Sequence, residues 1–158
     1  MKAGIDTNIF IKLFDSAESL NYLKEKGDSL YTHPVCLWEM VKYIKTLELE
    51  DKNTEAIVAN FMKRAGIIRT KEEVEKEEIK EFEEKCKKEG IDCHYPDSEI
   101  ILSLKKEGVE RIYSDDKNFG KAAWVLGMKF VRFSSLEEKK PNSNINPNYG
   151  LHWRASGE

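Results

Sequence analysis

Short apolar blocks alternate with longer amphipathic stripes along this chain. Ala3-Gly4-Ile5, Leu30-Tyr31-Thr32, Ile67-Ile68-Arg69, Arg111 to Ser114 and Met128 to Phe133 read as short buried strands. Between them apolar residues recur at helical spacing. Asn8 to Phe14 starts one helix, and Asp15 with Glu18 resembles the capping box of another, which runs through Leu20 and Leu23 to Gly27. Pro34 opens a helix with Leu37, Met40, Val41, Ile44 and Leu47 on one stripe, so Glu39 lies beside that stripe. Thr54 to Arg64 buries Ile57, Val58, Phe61 and Met62, and Gly66 stops it. Thr70 and Glu73 form a second expected capping box, for the charged stretch Lys71 to Glu89 with Val74, Ile79, Phe82 and Cys86 as its apolar positions. Asp97 to Glu107 and Lys117 to Leu126 complete the helices.

Strand and helix alternate throughout, which predicts an α/β fold: a three-layer α/β/α sandwich with a central parallel sheet. The alternation stops near Lys139, where Pro141 to Asn148 is polar and cannot form a core. The expected division is therefore one domain over 1–138 and a polar C-terminal tail over 139–158. In that tail Lys139, Lys140, Tyr149, Trp153 and Arg154 combine charge with aromatic rings.

Composition narrows the class. The 158 residues are one domain's worth, and 40% apolar content supports a core. No apolar run reaches the roughly 20 residues of a membrane span, and none follows Met1-Lys2 as a signal peptide would, so no membrane partner and a cytoplasmic location are expected. Cys36, Cys86 and Cys93 have no paired spacing; ordinary thiols are expected rather than disulfides or a zinc site with His94. The absence of glutamine and the preference for lysine lean towards a thermophilic source. A net charge of −3 lacks the basic surplus usual in nucleic-acid binders, but clustered carboxylates would make such a protein look acidic until cations reversed the local sign.

Four carboxylates carry the candidate chemistry. Asp6 and Asp116 each follow a strand, Glu39 sits on a helix, and Asp97 opens one. Side chains far apart in sequence meet at the carboxyl ends of parallel strands. Singly, Asp6, Asp97 and Asp116 read as helix caps and Glu39 as a solvated residue. Together they read as a cluster of hard oxygen donors suited to Mg²⁺ or Mn²⁺.

Four segments then resemble the motifs of the PIN-domain nucleases. They are Gly4-Ile5-Asp6-Thr7-Asn8-Ile9-Phe10, Val35-Cys36-Leu37-Trp38-Glu39-Met40, Asp97-Ser98-Glu99-Ile100-Ile101 and Tyr113-Ser114-Asp115-Asp116-Lys117-Asn118-Phe119. The resemblance spans about Lys2 to Phe133, and the Ser-x-Asp-x-x-Phe pattern selects Asp116 over Asp115. It implies a PIN-like form of the sandwich and a metal-dependent endoribonuclease of the VapC-like or RNA-processing kind. Asp6, Glu39, Asp97 and Asp116 would hold Mg²⁺ or Mn²⁺, with Thr7, Asn8, Ser114 and Asp115 contacting substrate or orienting the acids. RNA is the expected substrate, with an antitoxin or an RNA-processing protein, and a second copy of the chain in a homodimer, as expected partners. Two other readings stay open: a non-catalytic PIN-like module binding RNA or protein, and a structure-specific DNA nuclease. An aspartyl-phosphate phosphatase is disfavoured, because the place of its second acid holds Asn8.

Overall fold

The computed structural model describes residues 1–47 and 53–134. The expected tail over 139–158, with its aromatic and basic residues, and the boundary at 138 lie outside them. In chain order the elements are β1 (Lys2–Ile5), α1 (Thr7–Asp15), α2 (Ala17–Lys24), β2 (Ser29–Thr32), α3 (Pro34–Thr46), α4 (Thr54–Ala65), β3 (Ile67–Arg69), α5 (Lys76–Lys88), α6 (Asp97–Lys106), β4 (Arg111–Ser114), α7 (Lys117–Val125) and β5 (Lys129–Arg132). All strand pairs are parallel, in the order β3-β2-β1-β4-β5. The central position of β1 places its carboxyl end between those of β2 and β4, where the chain's path reverses direction across the sheet. Crevices open at such points.

Side chains alternate across a strand, and the two cores follow that alternation. Ala3, Ile5, Leu30, Ile67 and Tyr113 pack with residues of α1, α2, α3 and α4, whereas Tyr31 and Ile112 pack with residues of α5, α6 and α7. Gly4 lies on the second face, where a Cβ would come within 2.8 Å of Ile112 Cδ1 and 2.9 Å of Leu104 Cδ1. The missing side chain lets α6 sit close to the sheet. On the first face the Phe61 ring meets those of Phe10 and Phe14 edge-on, with centroids 5.7 and 5.3 Å apart. Such pairs add about 0.5–1.5 kcal/mol each beyond area burial, and these fix α1 against α4.

The expected fold class, a PIN-like three-layer α/β/α sandwich, is corrected to what the elements carry. It is an α/β chain with a five-stranded parallel sheet and, among the described residues, seven helices, an arrangement that fits a three-layer α/β/α sandwich. Helices on both faces of a parallel sheet are a packing solution shared by unrelated families, so these elements alone do not carry the PIN-like form.

Two helix starts also differ from expectation. Helix α2 is capped by Ser16, whose hydroxyl accepts from the Ser19 amide at 3.2 Å, and Asp15 instead accepts from the Tyr43 hydroxyl at 2.6 Å. Helix α5 begins at Lys76 rather than Lys71, with Glu75 and Glu78 forming its capping box. Thr70 is held elsewhere: its amide donates to Thr32 O at 2.9 Å, continuing the β2–β3 ladder, and its hydroxyl accepts from Ser103 at 3.2 Å. The three cysteines are free and buried. No helix among the described residues is long and apolar enough to cross a membrane.

Candidate active site

The register between β1 and β4 builds the site. Ile5 lies beside Tyr113, so the next residues, Asp6 and Ser114, emerge side by side at the carboxyl ends of the central strands. Asp6 is the N-cap of α1, its Oδ1 accepting from the Ile9 amide at 3.0 Å, while Oδ2 accepts a short hydrogen bond from the Ser114 hydroxyl. Asp116 caps α7, its Oδ1 accepting from the amides of Asn118 at 2.9 Å and Phe119 at 3.2 Å. The Asp116 amide donates to Ser114 Oγ at 3.0 Å, so a single hydroxyl links both strand-end acids. Both aspartates therefore act as helix caps and still line the cleft.

The other two acids come from helices. Asp97 is the first residue of α6. Glu39 is exposed on α3, with its Oε1 accepting from the Thr7 hydroxyl at 2.9 Å. Asp6, Glu39, Asp97 and Asp116 line one cleft of ≈ 120 Å³ together with Thr7 and Asn8, and Cys36, Ile100 and Phe119 are its apolar lining. Three of the four acids stand at helix N-termini, where the macrodipole favours negative charge.

Burial first, and like charge after it, shift two of the four carboxyls. Burial pushes the Asp6 carboxyl above its ordinary range; hydrogen bonds from Ser114 and Ile9 oppose the shift, and the charges of Asp116 and Asp115 add to it. Asp97 is raised as well, first by burial and then by Asp116 and Glu39. The Cys36 thiol is pushed up to about 11 by burial, with Asp6 and Glu39 adding repulsion, so it stays protonated. Lowered dielectric and like charges are the two general causes.

Asp115 is placed differently. Its Oδ2 pairs with Lys12 Nζ at 2.5 Å and its Oδ1 accepts from the Ser134 amide at 2.7 Å, an arrangement that ties the end of β5 to α1. Burial alone would raise this carboxyl, but Lys12 and Ser134 hold it below its ordinary range. It does not line the cleft. Sequence reasoning passed over Cys36 and Ile100 as cleft residues and Lys12 as the partner of Asp115. Only the helical spacing of Cys36 and Glu39 hinted at the first.

The donor set fits a hard divalent cation: it is all oxygen, it carries four potential negative charges, and burial and mutual repulsion already disfavour ionisation of two members. As they stand, no three or more His, Cys, Asp or Glu side chains among the described residues are arranged to hold a metal ion. The chemistry of the residues therefore matches such an ion more closely than their present spacing does.

No protein-family model matches this chain, and no curated protein sequence does. Solved structures do. The chain is similar to the crystal structure of VapBC2 from Rickettsia felis bound to a DNA fragment from their promoter, with TM-score 0.61 and 15% identity over 84% of this chain and 98% of that one. It is also similar to the crystal structure of FitAcB from Neisseria gonorrhoeae, with TM-score 0.56 and 11% identity over the same shares of each chain, 84% and 98%. At such identities the likeness is one of fold.

Proposed function

We propose that this protein is a metal-dependent endoribonuclease whose cleft holds Mg²⁺ or Mn²⁺ between Asp6, Glu39, Asp97 and Asp116. The observation that carries the reading is the convergence of four carboxylates from three helix N-termini and one helix face on a single cleft at the carboxyl edge of the sheet. A bound divalent ion would neutralise charge on the phosphoryl oxygens, lower the pKa of the attacking water and stabilise the leaving oxygen.

The chain's own groups supply the rest. Ser114 and Thr7 each donate to a carboxylate oxygen, which fixes the orientation of Asp6 and Glu39, and every carboxylate oxygen keeps a lone pair for ligation even where, as at Asp6, both accept a hydrogen bond. Burial, and then the charges of Asp116 and Glu39, disfavour the charged form of Asp97, a cost that a bound cation would relieve. Cys36, Ile100 and Phe119 form an apolar wall on one side of the cleft. In-line attack by water leaves a 5′-phosphate and a 3′-hydroxyl.

The sequence motifs resemble those of VapC-like nucleases and one structural neighbour is a VapBC2 structure, which supports a toxin-like ribonuclease with a protein antitoxin as partner over a role in RNA processing. One observation favours a second reading, a non-catalytic binding module: the acids are not at present arranged as a ligand group. Product analysis separates the two. Purified chain incubated with single-stranded RNA and Mn²⁺ should release fragments with 5′-phosphate and 3′-hydroxyl ends and stop on addition of EDTA. RNA left intact in the presence of Mg²⁺ or Mn²⁺ would favour the binding module.

A further inference from the structure

Trp38 precedes Glu39 on α3, and it is 62% exposed. Successive helical residues point about 100° apart around the axis. Glu39 therefore faces the acid cleft while Trp38, with Leu37 and Val41, borders a separate groove of ≈ 250 Å³ between α3 and α4. The groove and the cleft open on adjoining faces of one helix, which is about 10–12 Å across with its side chains.

Arg69 completes the groove. It ends β3, the edge strand, and is exposed, and its side chain makes no ion pair among the described residues. Arg69 also lies beside His33, whose imidazole burial, and then the Arg69 charge, push down to about 4. His33 is neutral near pH 7, so Arg69 is the fixed cation at this end of the groove.

We propose that Trp38 and Arg69 form a subsite for one unpaired nucleotide of the RNA substrate, with the base stacked on the indole and a neighbouring phosphate on the guanidinium. The proposal rests on the RNA-cleaving reading of the acid cleft and adds to it the place where the strand is held. Three features select a nucleotide over an apolar protein segment. The indole offers an open π-face, which any base can stack on. An apolar segment filling the groove would strip water from Arg69 without pairing it, whereas a phosphate pairs it in bidentate fashion. Trp38 and Glu39 are also consecutive on α3, so the groove and the cleft that would cut the strand flank the same helix. Glu55 stands on the same groove, and its charge directs the phosphates to the Arg69 side.

Binding and cleavage test this separately. Full-length Asp97→Asn protein, titrated with oligoadenylate, should show quenched tryptophan fluorescence, and adding Trp38→Ala should weaken binding roughly five- to a hundredfold. Trp38→Phe should restore most of the affinity. Arg69→Gln should weaken binding and reduce the slope of log K against log salt by about one, and Glu55→Gln should tighten it. In the cleaving enzyme Trp38→Ala should raise KM while kcat moves little. Trp38 and Arg69 are exposed, and unchanged melting curves would show that the variants fold. If RNA is cleaved but Trp38→Ala binds it as tightly as the parent, the subsite is overturned. It is overturned equally if the substitution abolishes capture of a protein partner and leaves RNA affinity intact. If the wild-type chain cleaves nothing yet binds RNA through Trp38 and Arg69, the subsite stands and the nuclease reading fails.

Discussion

The Ser114 hydroxyl donates to Oδ2 of Asp6 across 108 positions of sequence, while Ser114 Oγ itself accepts from the Asp116 amide. One side chain thus orients one candidate ligand directly and positions the loop that carries another. Ser114→Ala should leave the fold intact and weaken Mn²⁺ binding by about 10–100-fold, the usual cost of losing a group that orients a metal ligand. Titration calorimetry checks this; unchanged affinity would reduce Ser114 to a turn residue.

Burial and like charge raise Asp6 and Asp97 above their unfolded values. A carboxyl raised in this way binds more protons folded than unfolded, so without divalent ions stability should fall as pH rises from the ordinary carboxylate range through the raised one. Asp6→Asn or Asp97→Asn should then increase the Tm measured in EDTA at neutral pH, by about 2–4 °C for each kcal/mol relieved. Millimolar Mn²⁺ should raise the wild-type Tm by binding the folded state, and raise that of either variant less. A lower Tm for both variants in EDTA would show that capping outweighs repulsion at these positions.

Much of the element order was readable because each strand is a short apolar block and each long helix has a regular stripe. The strand order was not, since parallel strands are joined through crossovers that leave no local mark. The helix starts at Ser16 and Glu75 were misread where two acceptors compete within a few residues: Asp15 was drawn off by Tyr43, and Thr70 by the Thr32 backbone and Ser103. At the site, the four acids could be picked out because each borders a strand end or a helix face. The role of Asp115 could not, because its partner Lys12 is 103 residues away.

Asp115 gives a prediction of its own. Lys12 and the Ser134 amide stabilise its charged form. A depressed carboxyl contributes stability that is present above its unfolded pKa and lost as pH falls through the folded value. Asp115→Asn should cost roughly 1–2 kcal/mol at neutral pH, measured by urea unfolding, with kcat reduced far less than by Asp116→Asn. Equal loss of kcat in the two variants would move Asp115 into the chemistry.

His33 caps α3 through Nδ1, which accepts from the Val35 amide at 3.0 Å. Burial holds its pKa down to about 4. Because the unfolded imidazole takes up its proton near pH 6.5, stability should decline as pH falls from about 6.5 towards 4. His33→Asn keeps a capping acceptor and removes the titration, so its unfolding free energy should be flatter over that window. An equally steep decline would assign the pH dependence to other groups.

If the four carboxylates act together as one metal-dependent catalytic site, each must matter to the same reaction. The deciding experiment is cleavage of a defined single-stranded RNA at saturating Mn²⁺ by the wild type and by Asp6→Asn, Glu39→Gln, Asp97→Asn and Asp116→Asn, each shown to be folded. The wild type should cleave, and each substitution should lower kcat by at least about a hundredfold, the loss of several kcal/mol of transition-state stabilisation. A folded wild type that cleaves no RNA, or an Asp6→Asn or Asp97→Asn enzyme with full activity, would contradict a shared site.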